Sequence, residues 1–466
     1  MLGRIAAAIL LLCTALALAQ QPQATPTLPE PPPILPPTPN THPEISSILT
    51  APRPSVPQPG FRGSQADAVR VLLGLFALFG LAYLGGHPRV KEWERRLAIT
   101  HLVTAGLPFV LLGLVASLPS VGILSESVLY ELRPLVVLGL GWIGFTVGFR
   151  FDSQLVRSLW PGVGGVVALT SAVPFALVML VCGIMLWKAE RSIGAAIFVR
   201  DGLILGAAGA MTASAAGEFF APQSAGAGSR ERVRTIIQLE EFTAVIGLIL
   251  LAAYFRSEGL AAWKLPGTAW LFITIGMGAT MGAVVYAALS KITEGPEFTV
   301  LMLGSVSFTA GMASFLRLSP IAVCFIAGAI LVNLPGGAKE QVRDALNHLE
   351  RPIYLLFLIV AGSLWRVGEW QGWVLMVLFV IARFAGKWLA VRSVNRSRNT
   401  DLSREECRTL VLSPLGALSI AIVVNAEDLY FSPSIPWIVT AVIAGAIVTE
   451  IVVQAAARGH VSPAVP

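Results

Sequence analysis

Charge is scarce in this chain. Only 13% of its 466 residues are Asp, Glu, Lys or Arg, whereas 55% are hydrophobic and the mean hydropathy is +0.74. A chain of this length with so little polar surface does not stay dissolved in water, so lipid is the solvent its composition calls for. Cysteine is scarce as well. Cys13 lies in the N-terminal apolar run, Cys182 and Cys324 in later ones and Cys407 in a basic connector, an arrangement that sets up no disulfide framework. There are five histidines, and no metal-ligand spacing, nucleophile triad or phosphate-cradling glycine loop occurs. The chain therefore does not read as an enzyme, and no cofactor is expected. A net charge of +6 could suggest nucleic acid, but the basic residues are scattered over short connectors, as in a membrane topology.

The N-terminus reads as a secretory signal. Arg4 precedes the apolar run Ile5–Leu12, and Ala17 and Ala19 before Gln20 suit a signal peptidase, so residues 1–19 are expected to be cleaved. The alternative is an uncleaved first helix, disfavoured because the run is short and the next segment is strongly polar. Residues 20–64 hold Pro29, Pro31, Pro32, Pro33, Pro36, Pro37 and Pro39 and cannot bury a core; they read as a disordered extracytoplasmic tail.

A hydrocarbon core of ~30 Å takes about 20 apolar residues per helix. After the tail come about thirteen such runs: 66–85, 97–118, 130–149, 161–186, 199–217, 236–254, 267–289, 297–315, 319–334, 352–368, 371–390, 408–425 and 434–455. They must be helical, because unpaired backbone groups are not tolerated in lipid. The expectation is an all-α polytopic membrane protein with a transmembrane domain over 65–456 and a short tail at 457–466. Charge sets its orientation. Connectors on the side opposite the N-terminal tail carry Arg89, Lys91, Arg95 and Arg96; Arg150 and Arg157; Arg230, Arg232 and Arg234; and Arg392, Arg396, Arg398, Arg404 and Arg408. Those on the tail's side carry far fewer, which places the tail in the periplasm and the C-terminus in the cytoplasm of a bacterial inner membrane.

Two runs differ from the rest. Gly206–Gly217 is built almost wholly of small residues with Thr212 and Ser214 among them, and Ser413-Pro414-Leu415-Gly416-Ala417-Leu418-Ser419 interrupts an otherwise apolar helix. Small-residue packing and a simple proline kink are the plainer readings. Paired interrupted helices, one in each half, nevertheless point to a transport site at a repeat interface. The second comes seven spans after the first, so they run in opposite directions, as an inverted repeat requires.

The strongest chemical signal is Glu240-Glu241, inside a span and roughly 9–10 Å of helix rise beyond Arg234. Carboxylates at that depth face a bundle interior or a water-filled cavity. Neighbours on a helix point about 100° apart, so one can meet a transported ion while the other meets a fixed partner. Such a group holds a proton or a cation but not both, which gives exchange when it is exposed alternately on each side. The competing reading has both glutamates snorkel to the interface. Arg383, well inside a span, is the natural counter-ion for a glutamate, while Lys387 is expected to snorkel. Glu450, near the cytoplasmic end of the last span, reads as snorkelling or pairing structurally, Asp152 as ending a helix at the interface, His101 as a packing residue, and Thr212 and Ser214 as hydroxyls able to line an ion path or to bond their own helix.

Set in order, these segments resemble the monovalent cation:proton antiporter superfamily, of the sodium/hydrogen exchanger and potassium-efflux type. Leu138–Asp152 is similar to its "liGlelD" helix end, Gly209–Ser214 to its first broken helix, and Glu240-Glu241 to its paired acidic motif. Leu318–Gly328 is similar to its "lSpalgaFlaG" segment and Pro352–Gly362 to its "PffFvlvG" helix; Arg383 and the second break at Ser413–Ser419 come after them. The resemblance spans about 66–455. It implies inverted repeats with two broken crossing helices, ion binding by Glu241, charge tuning by Glu240 and Arg383, and a crossing lined by Thr212, Ser214, Ser413, Pro414 and Gly416. It also implies a homodimer and a transient Na+ or K+ on Glu241. Four positions depart from the pattern. Glu241 stands where aspartate is usual, Leu415 and Ala417 replace two charges, and Gly247 replaces a proline.

The expected function is exchange of Na+ or K+ for H+ by alternating access. The alternatives are a non-transporting sensor or assembly protein on the same fold, and an organic-anion transporter.

Overall fold

A computed structural model describes residue 80 and residues 106–118, 126–157, 159–189, 195–213, 227–256, 265–290, 295–335, 339–396, 402–430 and 432–458. The signal, the Pro-rich tail, run 66–85 apart from Gly80, the start of run 97–118, His101, Ser214 and the C-terminal tail beyond 458 lie outside the described residues.

Helices carry nearly all of the described chain, as a lipid-facing backbone must. In chain order they are α1 (Leu107–Ser117), α2 (Glu126–Glu131), α3 (Arg133–Phe149), α4 (Ser153–Arg157), α5 (Val163–Ala189), α6 (Ala195–Ala210), α7 (Ala227–Tyr254), α8 (Gly267–Leu289), α9 (Pro296–Phe315), α10 (Pro320–Asn333), α11 (Lys339–Ser363), α12 (Trp370–Arg396), α13 (Arg404–Val411), α14 (Ala417–Leu429) and α15 (Ile435–Arg458). Six of them are long and apolar enough to cross a membrane: α5, α7, α8, α9, α12 and α15. α1, α3 and α10 are shorter apolar helices.

The helices sort into two bundles. One joins α5, α6 and α7 to α12, the α13–α14 pair and α15, with the first helix of each triplet against the first of the other and the second against the second. This pairing of like with like is what an inverted repeat over the two interrupted runs calls for. Its tightest crossing sets Gly386 of α12 on Pro174 of α5, where a Cβ would lie 2.5 Å from the Pro174 Cα. Only a glycine lets the two backbones approach so closely.

The second bundle joins α1, α3, α8, α9, α10 and α11. Its seam runs between α3 and α10, where Gly148 packs on the Phe325 backbone so closely that a Cβ would fall 2.0 Å from the Phe325 carbonyl oxygen. Between the bundles contacts are sparser, and several are polar. Arg133 of α3 pairs with Asp428 of α14 at 2.6 Å, Ser319 before α10 donates to Asn425 of α14 at 3.2 Å, and Arg256 after α7 donates to the Leu316 carbonyl beyond α9 at 2.8 Å. Apolar packing also crosses between the bundles, since one buried cluster joins Ile143, Val147 and Phe325 of the second to Phe242, Val245 and Ala421 of the first.

Candidate functional site

The site begins where two helices stop. α6 ends at Ala210 and the chain continues non-helical through Met211–Ala213; α13 ends at Val411 and Ser413–Gly416 is likewise non-helical before α14 begins. The two breaks meet. The Ala213 amide donates to the Pro414 carbonyl at 3.0 Å, the Thr212 and Ser413 hydroxyls lie 3.1 Å apart, and Ser419 donates to the Ala208 carbonyl at 3.0 Å. Pro414 cannot donate to a helix, and its ring disfavours a helical Ser413, so the sequence itself breaks the second helix there. Leu415 is buried where the resemblance has a charge, and Ala417 opens α14.

Arg383, at the middle of α12, spans this crossing. Its Nη2 donates to the Met211 carbonyl at 2.9 Å and to the Pro414 carbonyl at 3.4 Å. A helix end leaves carbonyls without partners and carries partial negative charge, so a guanidinium is well matched to the two breaks. Nε and Nη1 of Arg383 are buried with no hydrogen-bond partner among the described residues.

Glu240 and Glu241 sit at the middle of the 28-residue α7, both buried. That placement is deeper than the snorkelling reading requires, because α7 begins at Ala227, nine residues before the apolar run. The two carboxylates face different ways, as helical geometry demands. Glu240 accepts a hydrogen bond from Lys387 Nζ at 2.8 Å, and both side chains are 0% exposed. Glu241 points at the seam between the bundles, where its Oε2 is 3.8 Å from Arg150 Nη1 at the end of α3. Beside it, the Phe242 ring meets Phe151 edge-on at 4.8 Å between centroids and Phe325 at 6.2 Å.

Two expectations need correction. Lys387 does not snorkel. α12 runs on to Arg396, well past the end of the apolar run at 390, so Lys387 lies too deep to reach the interface and neutralises Glu240 instead. The direct carboxylate partner expected for Arg383 is thus Lys387's, and Arg383 serves backbone carbonyls. Of the two readings for Glu450, snorkelling or structural pairing, the structure has the second: it is buried and accepts from Gln454 at 2.9 Å. Thr212, Ser413, Pro414, Gly416 and Arg383 are brought together at the crossing, with Glu240 one helix away through Lys387.

Sequence reasoning also passes over Asp201, a carboxylate within run 199–217. It is buried and fully engaged: Arg200 Nε donates to it at 2.8 Å, Ser432 at 3.4 Å, and Ser434 donates as well. The adjacent Arg-Asp pair in an apolar run is the signal that marks it. With its acceptors filled, the group ties α6 to the segment before α15.

No family model matches the chain, and no curated relative does. Solved structures do match in fold. The sodium proton antiporter MjNhaP1 from Methanocaldococcus jannaschii at pH 8 superposes with a TM-score of 0.60 at 16% identity, covering 83% of this chain and 99% of the other. An electron-microscopy map of the same antiporter gives 0.53 at 16% identity, over 85% and 99%. The chain therefore has the fold of a polytopic antiporter over most of its length.

Proposed function

We propose that this protein is a secondary active antiporter exchanging a monovalent cation, Na+ or K+, for H+ across the bacterial inner membrane. One observation carries the reading: of two adjacent buried carboxylates, Glu240 is neutralised by a fixed lysine while Glu241 is turned to the seam between two bundles. Burial disfavours a bare carboxylate, and either a proton or a bound cation relieves the cost. A carboxylate at a seam is loaded by one or the other, and sliding one bundle along the other exposes it to either side in turn. The crossing held by Arg383, with the Thr212 and Ser413 hydroxyls beside it, supplies the polar lining an ion needs at that depth. The antiporter named among the structural neighbours supports the same direction.

In this reading residues 1–19 are removed, the Pro-rich tail is periplasmic, the Arg150 end of α3 and the C-terminus are cytoplasmic, and two copies associate. Proteoliposomes holding a pH-sensitive dye test it. A Na+ or K+ pulse moves protons through the wild type, and Glu241→Ala abolishes the response. Undiminished exchange by that variant removes Glu241 from the site, and no response from the wild type removes cation exchange altogether. One observation favours a second reading, organic-anion transport: the two guanidinium nitrogens of Arg383 that have no hydrogen-bond partner among the described residues at the crossing. Uptake of a carboxylate anion by vesicles that ignore Na+ and K+ is the outcome that selects it.

A further inference from the structure

Arg150 closes α3, the helix clamped to α10 through Gly148, so its position is set by the rigid seam of the second bundle. Its guanidinium is shared between two carboxylates that differ in what they belong to. Nη2 is 3.0 Å from Oε1 of Glu350 on α11, in the same bundle, and Nη1 is 3.8 Å from Oε2 of Glu241 across the seam. The next residue along each chain repeats the juxtaposition, with Phe151 against Phe242, so the register of the two bundles is fixed here by adjacent pairs rather than by one long side chain.

We infer that Arg150 is a tethered competitor of the transported ion: a guanidinium that balances Glu241 when no cation or proton is on it, and that the incoming ion must displace. This rests on the reading of Glu241 as the exchanging carboxylate. Three features argue for displacement rather than a permanent bridge. The 3.8 Å separation is about 1 Å longer than a charge-assisted hydrogen bond, so the contact is Coulombic and easily surrendered. The Arg150 side chain is 30% exposed where that of Glu241 is 6%, so the guanidinium is the more accessible member of the pair and has room to move away. Glu350, 43% exposed, is a second partner already in contact, so release from Glu241 leaves no charge unpaired.

The consequence is a rule for the cycle. Glu241 carrying a proton or a cation has little attraction for Arg150, and the bundles are free to slide. Bare and ionised, it is held to a group on the opposite bundle, and the empty carrier stays put. Arg150 thereby links movement to loading, as strict exchange requires, at the expense of cation affinity.

The two carboxylates give opposed tests. Arg150→Gln removes the competitor and lowers the KM for Na+ or K+ at fixed pH by about fivefold or more, the ratio a pair of roughly 1 kcal/mol corresponds to. Glu350→Gln leaves Glu241 as the guanidinium's remaining partner of the two and raises that KM; Arg150→Lys keeps KM nearer the wild-type value than the glutamine variant does. A second readout needs no transport. The cation concentration giving half of the cation-dependent thermal stabilisation in detergent moves in the same directions. Unchanged or higher KM and midpoint for Arg150→Gln overturn the inference, as does an unchanged or lower KM for Glu350→Gln, which decides alone if the arginine variant does not fold. A wild type that shows neither exchange nor cation-dependent stabilisation overturns the antiport reading and this inference together. Normal exchange with identical midpoints in all the variants overturns only the role of Arg150.

Discussion

A lysine and a glutamate that are both shut off from water, such as Lys387 and Glu240 at 2.8 Å, depend on one another. Taking one away strands the other in a medium that cannot solvate it. Lys387→Met is therefore expected to destabilise the protein by about 3–5 kcal/mol, whereas the double variant Glu240→Leu/Lys387→Met recovers most of that loss, since a well-packed apolar pair costs little. Thermal unfolding in detergent checks this; a single variant as stable as the wild type contradicts the pairing. Arg383 is a different case, because it binds carbonyls through a planar fork. Arg383→Lys keeps the charge but loses the geometry, and lysine is expected to restore less than half of the stability lost by Arg383→Ala. Equal stability of the lysine variant and the wild type would show that charge alone matters at the crossing.

At the scale of helices, the approach of α12 to α5 is what places Lys387 and Arg383 at depth. Gly386→Ala sets a Cβ against Pro174 and must push the helices apart. A loss of about 1–3 kcal/mol in thermal stability is expected, together with weaker exchange; a variant with unaltered unfolding temperature and transport would remove Gly386 as the spacer. Much of this scale is legible from sequence. Charges inside apolar runs mark Glu240, Glu241 and Arg383, and Pro414 with Gly416 marks the second break, because each breaks a local rule that lipid enforces. The hidden part depends on where helices end and which ones meet. Lys387 reads as interfacial in sequence because α12 outlasts its apolar run, and Arg150 reads as a connector residue because the apolar run stops one residue before it. The pairing of α3 with α7 across the seam has no trace in local sequence, so the partner of Glu241 comes only from the tertiary structure.

At the scale of the molecule, the proposed exchange has one bundle slide along the other at the seam that holds Glu241. If they slide, tying them together stops transport. Arg133→Cys with Asp428→Cys, in a background without the native cysteines, places two thiols where α3 and α14 now share an ion pair. A short bifunctional thiol reagent is expected to abolish exchange, and a reducible version of it to allow recovery on reduction. Exchange that persists in the cross-linked protein contradicts movement at that seam. The central claim is narrower, that one buried carboxylate surrenders a proton when a cation arrives, and it is measured directly in weakly buffered detergent solution. On addition of Na+ or K+, the wild type is expected to release a proton fraction that grows as pH is lowered toward the range in which the site is protonated, with none released by Glu241→Gln. Equal proton release from wild type and variant, or none from the wild type at any pH, contradicts it.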